Sequence, residues 1–140
     1  MKIERKSVGI FPINSDKKVL LHLRDNDLKV ECPGYWGVIG GEIDKGENDA
    51  GAIKREIKEE IGDIVKNVKR IGEIFVDKSE IVWKNTQLSI FKGEIDKTED
   101  EIKLNEGQKV KFFNISELDS IKMVPLLKKY ILENKEKIFS

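Results

Sequence analysis

The segment from Gly41 to Gly62 constrains this chain more than any other stretch of its 140 residues. Asn48 or Asp49 can cap a helix there, and Gly62 can stop it near Ile61. Between those marks Ile53, Ile57 and Ile61 recur every four residues, an apolar stripe that must find a surface to cover it. With Ile53 at zero and about 100° per residue, Ile57 and Ile61 fall at about +40° and about +80°. By the same arithmetic Glu60 falls at about −20°, Glu56 at about −60° and Glu59 at about −120°. Three carboxylates therefore share one flank, with Glu60 at the edge of the stripe. Lys54, Arg55 and Lys58 are assigned to the opposite side, at about +100° to about +200°.

A solvated surface helix would explain a charge run alone, but two details oppose that reading. Glu56 repels Glu59 and Glu60 at helical spacing, which costs a few tenths of a kcal/mol per pair. Glu60 also abuts the apolar stripe, where an unpaired carboxylate is expensive. A hard divalent cation would compensate both, since Mg²⁺ takes oxygen ligands and suits a few carboxylates beside substrate phosphates. Gly40-Gly41 can adopt unusual dihedrals and approach a ligand closely, which frees a carbonyl to join the donor set. Glu47 stands just before the helix, where it can orient those donors, and Arg55 can pair with it.

Around this segment the chain alternates strands and helices. Ser7–Asn14 and Val19–Arg24 read as a hairpin across a polar turn. Asp25–Tyr35 is a polar loop, and Trp36–Ile39 a short apolar strand ending on the double glycine. Strands are expected at Val68–Asp77, Ile81–Glu94 and Lys109–Phe113, with an acidic loop over Glu94–Gly107. Ser116–Asp119 reads as a helical turn. A last helix is expected from Val124 to Ile138, with Pro125 in its first turn and Leu126, Leu127, Tyr130 and Ile131 facing inward. That order suggests a mixed sheet flanked by helices in one α/β layered domain.

Composition narrows the function classes. Lys plus Arg equals Asp plus Glu, 26 each, so no global field draws the chain to nucleic acid or to a membrane. No apolar run approaches ~18 residues and the N-terminus has no apolar signal core, so a cytoplasmic location is expected. Cys32 is the one cysteine, which excludes an internal disulfide and fits a half-buried loop residue. His22, the one histidine, lies in an alternating strand pattern without the companions a zinc site recruits.

The residues Gly41, Glu47, Arg55-Glu56-Ile57, Glu59-Glu60 and Gly62 stand at the spacing of the Nudix box, and the chain resembles small, single-domain, MutT-like members of the Nudix hydrolase family. It departs from the usual pattern at Ile39, where Pro is common, and at Asp63, where an aliphatic residue is usual. The resemblance implies an α/β/α sandwich around a mixed sheet, spanning 1–140 as one domain. It implies hydrolysis of a phosphoanhydride in a nucleoside diphosphate linked to another group, foremost a (d)NTP, with nucleotide sugars and dinucleoside polyphosphates as alternatives. By similarity the Gly41 carbonyl, Glu56, Glu59 and Glu60 would hold Mg²⁺ or Mn²⁺, with Glu47 and Arg55 orienting them. Glu56, Glu59 and Glu106 are the catalytic candidates, and Arg24, Gly40 and Gly41 the substrate-binding ones. The expected partner is a small nucleotide, and a homodimer is compatible with the family.

Glu106 is chosen because family enzymes often take a further glutamate from a loop near a later strand, and Asn105-Glu106-Gly107-Gln108 precedes Lys109–Phe113; Glu99 and Glu101 are weaker alternatives. Arg24 ends its strand at a substrate-facing position in MutT-type members, with a surface salt bridge as the alternative. Trp36 is expected in the core or a cleft wall; alternation could bury Phe75, Trp83 and Phe91 or expose them to stack a base, and the core is the expectation for each. A nucleotide-sensing module on the same fold would tend to lose box carboxylates, and this chain keeps all four glutamates. An isomerase acting on isopentenyl diphosphate is disfavoured because Cys32 lies well before the box without supporting residues.

Overall fold

The strands that carry the site pair around one central ribbon. In the computed structural model, which describes residues 2–140, β1 (Arg5–Ile13) lies parallel to β6 (Thr86–Ile95) on one side. On its other side β1 is shared by β2 (Val19–Leu23) and β4 (Ile39–Glu42), both antiparallel to it. β5 (Val65–Val76) extends the sheet beyond β6. β3 (Trp36–Gly37) and β7 (Lys109–Phe113) both pair with β2. The result is a seven-stranded mixed sheet.

Alternation along these strands feeds two cores. Val8 and Ile10 of β1, Leu20 of β2 and Phe112 of β7 pack with Ile53, Ile57 and Ile61 of α1 (Asp49–Ile61). Their neighbours Phe11, Val19, Leu21 and Phe113 pack on the opposite face against Leu127 and Ile131 of α2 (Pro125–Glu133) and Ile138 of α3 (Lys135–Phe139). Burial on both faces explains why β1 reads as a nearly continuous apolar run. This is the α/β/α sandwich expected from the sequence. No helix among the described residues is long and apolar enough to cross a membrane.

Several boundaries differ from expectation, each for a local reason. The Ile81–Glu94 strand begins only at Thr86, because the backbone before it bonds elsewhere: the Ser79 hydroxyl accepts from Ile81 and Val82 N–H, and the Ile81 carbonyl accepts from Cys32 N–H. The Val68–Asp77 strand starts earlier, at Val65, and is bulged where Asn67 takes φ +53°. The acidic Glu94–Gly107 loop contains a 3₁₀ turn over Glu99–Glu101, closed by a Thr98–Glu101 capping box. The last helix is broken at Asn134, whose side-chain amide donates to the Tyr130 carbonyl, and Leu126 faces solvent rather than the core. Phe91 is buried as expected, whereas Phe75 and Trp83 are about half exposed, at 49% and 50%.

Candidate active site

Helix α1 starts and stops where its sequence says it should. The Asn48 side chain accepts the Gly51 N–H at 2.8 Å. Gly62, at φ +86°, returns its N–H to the Lys58 carbonyl. Burial of Ile53, Ile57 and Ile61 against the sheet sets the rotation of α1 and turns Glu56 onto β4. Gly40 and Gly41 lie within β4, opposite Gly9 and Val8 of β1, and neither takes a positive φ. Their value is close approach rather than unusual dihedrals. A side chain on Gly40 would strike the Val8 carbonyl, and a Cβ on Gly41 would stand 2.5 Å from Glu56 Oε1. Glu56 thus lies directly on the Gly41 backbone.

Arg55 does not sit on the side opposite the carboxylates. Its position at about +200° is only about 40° from Glu59, and its long side chain closes the gap. Nε and Nη2 grip both oxygens of Glu47 at 2.8 and 2.9 Å. Nη1 reaches Glu56 Oε1 at 2.9 Å and Glu59 Oε2 at 3.3 Å, and Nη2 also donates to the Glu42 carbonyl. One guanidinium therefore ties Glu47, Glu56, Glu59 and β4 together, which a compact ammonium could not do. Hydrogen bonds from Arg55 first, and from the Asp44 N–H second, hold the Glu47 carboxyl below its usual range. Arg55 is in turn held more firmly in its charged form by Glu47 and then Glu56.

Glu60 is different. It is 7% exposed, and its Oε2 is buried without a hydrogen-bond partner. Burial first, then the charges of Glu56 and Glu106, push its carboxyl up to about 8, while Arg24 pulls the other way. Glu56 is also raised, by burial against the opposing pull of Arg55. Among the described residues no three His, Cys, Asp or Glu side chains already converge as a metal cluster. The donor set is nonetheless all oxygen and contains one orphaned buried carboxylate oxygen. That chemistry fits a hard divalent cation and not a soft one.

Glu106 stands on the loop before β7, near enough to act electrostatically on both Glu56 and Glu60. Glu99 is instead tied up as the acceptor of the Phe112 N–H, and Glu101 caps its own 3₁₀ turn. Arg24 makes no salt bridge among the described residues; its Nε donates to the Glu31 carbonyl at 2.6 Å. It lines a cavity of about 350 Å³ together with Gly40 and Gly41. Tyr35, Trp36, Val38, Ile74 and Leu88 supply apolar walls to the same cleft. Trp36 is held edge-on to Phe113, with ring centroids 4.9 Å apart. Cys32 is half-buried there, its thiol donating to the Ile81 carbonyl, and burial raises its pKa.

Sequence reasoning missed the polar floor of this cleft. Arg5 of β1 forks onto both oxygens of Glu31, and Glu31 also accepts the Trp83 N–H. The two residues are far apart in sequence and carry no spacing signal. It also missed that His22, 4% exposed, places Nε2 2.9 Å from the Glu106 carbonyl oxygen. Burial lowers the His22 pKa, with that contact opposing.

Curated relatives resemble part of this chain, and solved structures resemble its fold. Nudix hydrolase 26, chloroplastic, of Arabidopsis thaliana is 38% identical over 58 residues, 41% of this chain and 24% of that relative. The RNA pyrophosphohydrolase of Pelagibacter ubique (strain HTCC1062) is 38% identical over 69 residues, 49% of this chain and 40% of that relative. The matched stretches thus take in well under half of either relative. The crystal structure of the MutT protein from Methanosarcina mazei Go1 superposes with a TM-score of 0.77 at 19% identity, over 95% of this chain and 93% of that one, which speaks to the fold. The NUDIX domain model matches residues 3–134, and on that match, which takes in nearly the whole sequence, the chain belongs to the NUDIX family.

Proposed function

We propose that this protein hydrolyses a phosphoanhydride bond in a nucleoside diphosphate linked to another group, with a (d)NTP as the foremost substrate class. The observation that carries the reading is Glu60: a buried carboxylate with an orphaned oxygen, one helical turn from Glu56, which lies on the Gly41 backbone that lines the cleft. Glu56, Glu59, Glu60 and the Gly41 carbonyl would hold the cation, Mg²⁺ or Mn²⁺. When bound, a divalent cation neutralises a diphosphate and acidifies water. The remaining work belongs to the chain. Arg55 keeps Glu47, Glu56 and Glu59 in one arrangement. Glu106 accepts the proton released by the attacking water. Arg24 meets a phosphate at the cleft mouth, and the apolar walls around Trp36 take the base and exclude bulk water.

Retention of Glu47, Glu56, Glu59 and Glu60 favours turnover over nucleotide sensing. The test is a panel of normal and oxidised triphosphates, ADP-ribose, dinucleoside polyphosphates and, because one relative is an RNA pyrophosphohydrolase, a 5′-triphosphorylated RNA. Release of a nucleoside monophosphate and its complementary phosphorylated product, dependent on Mg²⁺, is expected for at least one. Glu59→Gln should lower that turnover by about a hundredfold or more while leaving the fold intact. Failure of every probe, with no cation binding, sinks the reading.

A further inference from the structure

The loop that carries Glu106 is fastened to both halves of the site. Asn105 donates its N–H to the Glu60 carbonyl at 3.0 Å and its side-chain amide to the Glu59 carbonyl at 2.7 Å. Gln108 donates its N–H to the Leu23 carbonyl at 2.9 Å and its side-chain amide to the Arg24 carbonyl at 2.8 Å. Between these anchors the Glu106 side chain is exposed, yet its backbone has a buried post. His22 of β2, flanked by Gly37 and Val110, directs Nε2 at the Glu106 carbonyl oxygen. A carbonyl only accepts, so Nε2 carries the proton in this contact. The next residue, Gly107, takes φ +86°, and a Cβ there would run into the imidazole. An apolar side chain would fill this strand position at less desolvation cost than a buried imidazole. What the ring adds is a directed hydrogen bond to the one carbonyl that precedes the glycine.

We propose that His22 is a positioning residue: through the Glu106 carbonyl and the bare face of Gly107 it fixes where the Glu106 carboxylate stands relative to Glu56 and Glu60. The inference rests on the hydrolase reading, in which Glu106 accepts a proton. His22→Phe keeps a flat ring, though a larger one, and removes the donor. It should lower kcat about 10- to 100-fold, the range seen when a partner that orients a reacting group is lost, with KM held within about threefold. His22→Gln, which can still donate, should recover part of the loss.

The decisive measurement is the double mutant. His22→Phe with Glu106→Gln should be no slower than Glu106→Gln alone, because both changes act on one group. In the metal-free protein, hydrogen exchange at the Asn105 and Gln108 amides should quicken in His22→Phe while Leu20 and Leu21 stay protected. Full kcat in His22→Phe, a loss that multiplies with that of Glu106→Gln, or unchanged loop exchange each overturns the proposal. If His22→Phe fails to fold, Gly107→Ala presses the loop off the ring from the other side; the same kcat loss is expected, and full activity overturns the proposal. Normal turnover in Glu106→Gln also overturns it while leaving Glu59-dependent hydrolysis standing. A wild-type protein inert on every substrate sinks the hydrolase reading instead, and loop exchange still decides whether His22 holds the loop.

Discussion

Two glutamates near β4 receive opposite treatment from the fold. Glu31, on the cleft wall, is opposed by burial, yet the Arg5 fork and the Trp83 N–H outweigh that and hold its carboxyl below the usual range. Every oxygen of Glu31 has a partner. Glu60, on α1, is pushed up to about 8 by burial and by its acidic neighbours, and one oxygen has none. The first is a finished ion pair, whereas the second keeps a buried oxygen without a partner. Buried charges need partners, so the difference separates a carboxylate that holds structure from one whose unmet oxygen the proposed cation would satisfy.

The sharpest way to break this contrast is to neutralise each member in turn. Glu60→Gln should cut turnover by about a hundredfold or more and leave the metal-free protein at least as stable as wild type at pH 8, because a costly charge has gone. Glu31→Gln should do the reverse. It strands the Arg5 guanidinium and should cost roughly 1–2 kcal/mol of stability, reduced from the buried-pair figure because both side chains are partly exposed. Turnover per folded molecule should stay within about threefold of wild type. Denaturant midpoints and steady-state kinetics on both variants decide it. An inactive Glu31→Gln or a destabilised Glu60→Gln would reverse the assignment.

The contrast also explains what the sequence revealed. The α1 site was legible because its parts are local: Asn48, the Ile53–Ile57–Ile61 stripe, three glutamates and Gly62 obey one helical period. Even there, angular bookkeeping misplaced Arg55, because a long side chain spans the 40° or so that separates it from Glu59. The cleft was not legible. Arg5, Glu31 and the Trp83–Thr86 pair come from three separate stretches, and only the β1–β6 pairing and the 79–85 loop bring them together. Phe75 and Trp83 were misassigned for different reasons. Alternation specifies which face of β5 Phe75 occupies but not whether anything covers that face, and Trp83 lies in the loop before β6 begins at Thr86.

Arg55 offers a second, smaller test. Arg55→Lys keeps the charge on α1 and loses the fork that binds both Glu47 oxygens along with Glu56 and Glu59. A drop of about 10- to 100-fold in turnover is expected, with a weaker apparent affinity for Mg²⁺. Arg5→Lys, the matching change in the finished pair, should mainly lower the melting temperature. If the two substitutions gave the same pattern, Arg55 would be no more than another structural arginine.

The smallest expected effect is a dependence of stability on pH. Glu60 has a carboxyl pKa of about 8 in the metal-free fold against an ordinary value of 4.5. A raised carboxyl pKa means that the fold favours the neutral form, so this contribution is fully present below pH 4.5 and is lost as pH rises through about 8. Glu31 has the opposite sign, since its lowered pKa gives stability that is kept above its ordinary range and lost in acid. The metal-free melting temperature should therefore fall by a few degrees between pH 5 and pH 8, and Glu60→Gln should flatten that slope. Mg²⁺ should restore the loss at pH 8 and do little at pH 5, because a cation must displace the Glu60 proton before it can bind. A wild-type slope that survives in Glu60→Gln would place the unsatisfied charge elsewhere. Equal Mg²⁺ stabilisation at both pH values would show that the cation does not compete with a proton at Glu60, and the distinction from Glu31 would then have to rest on geometry alone.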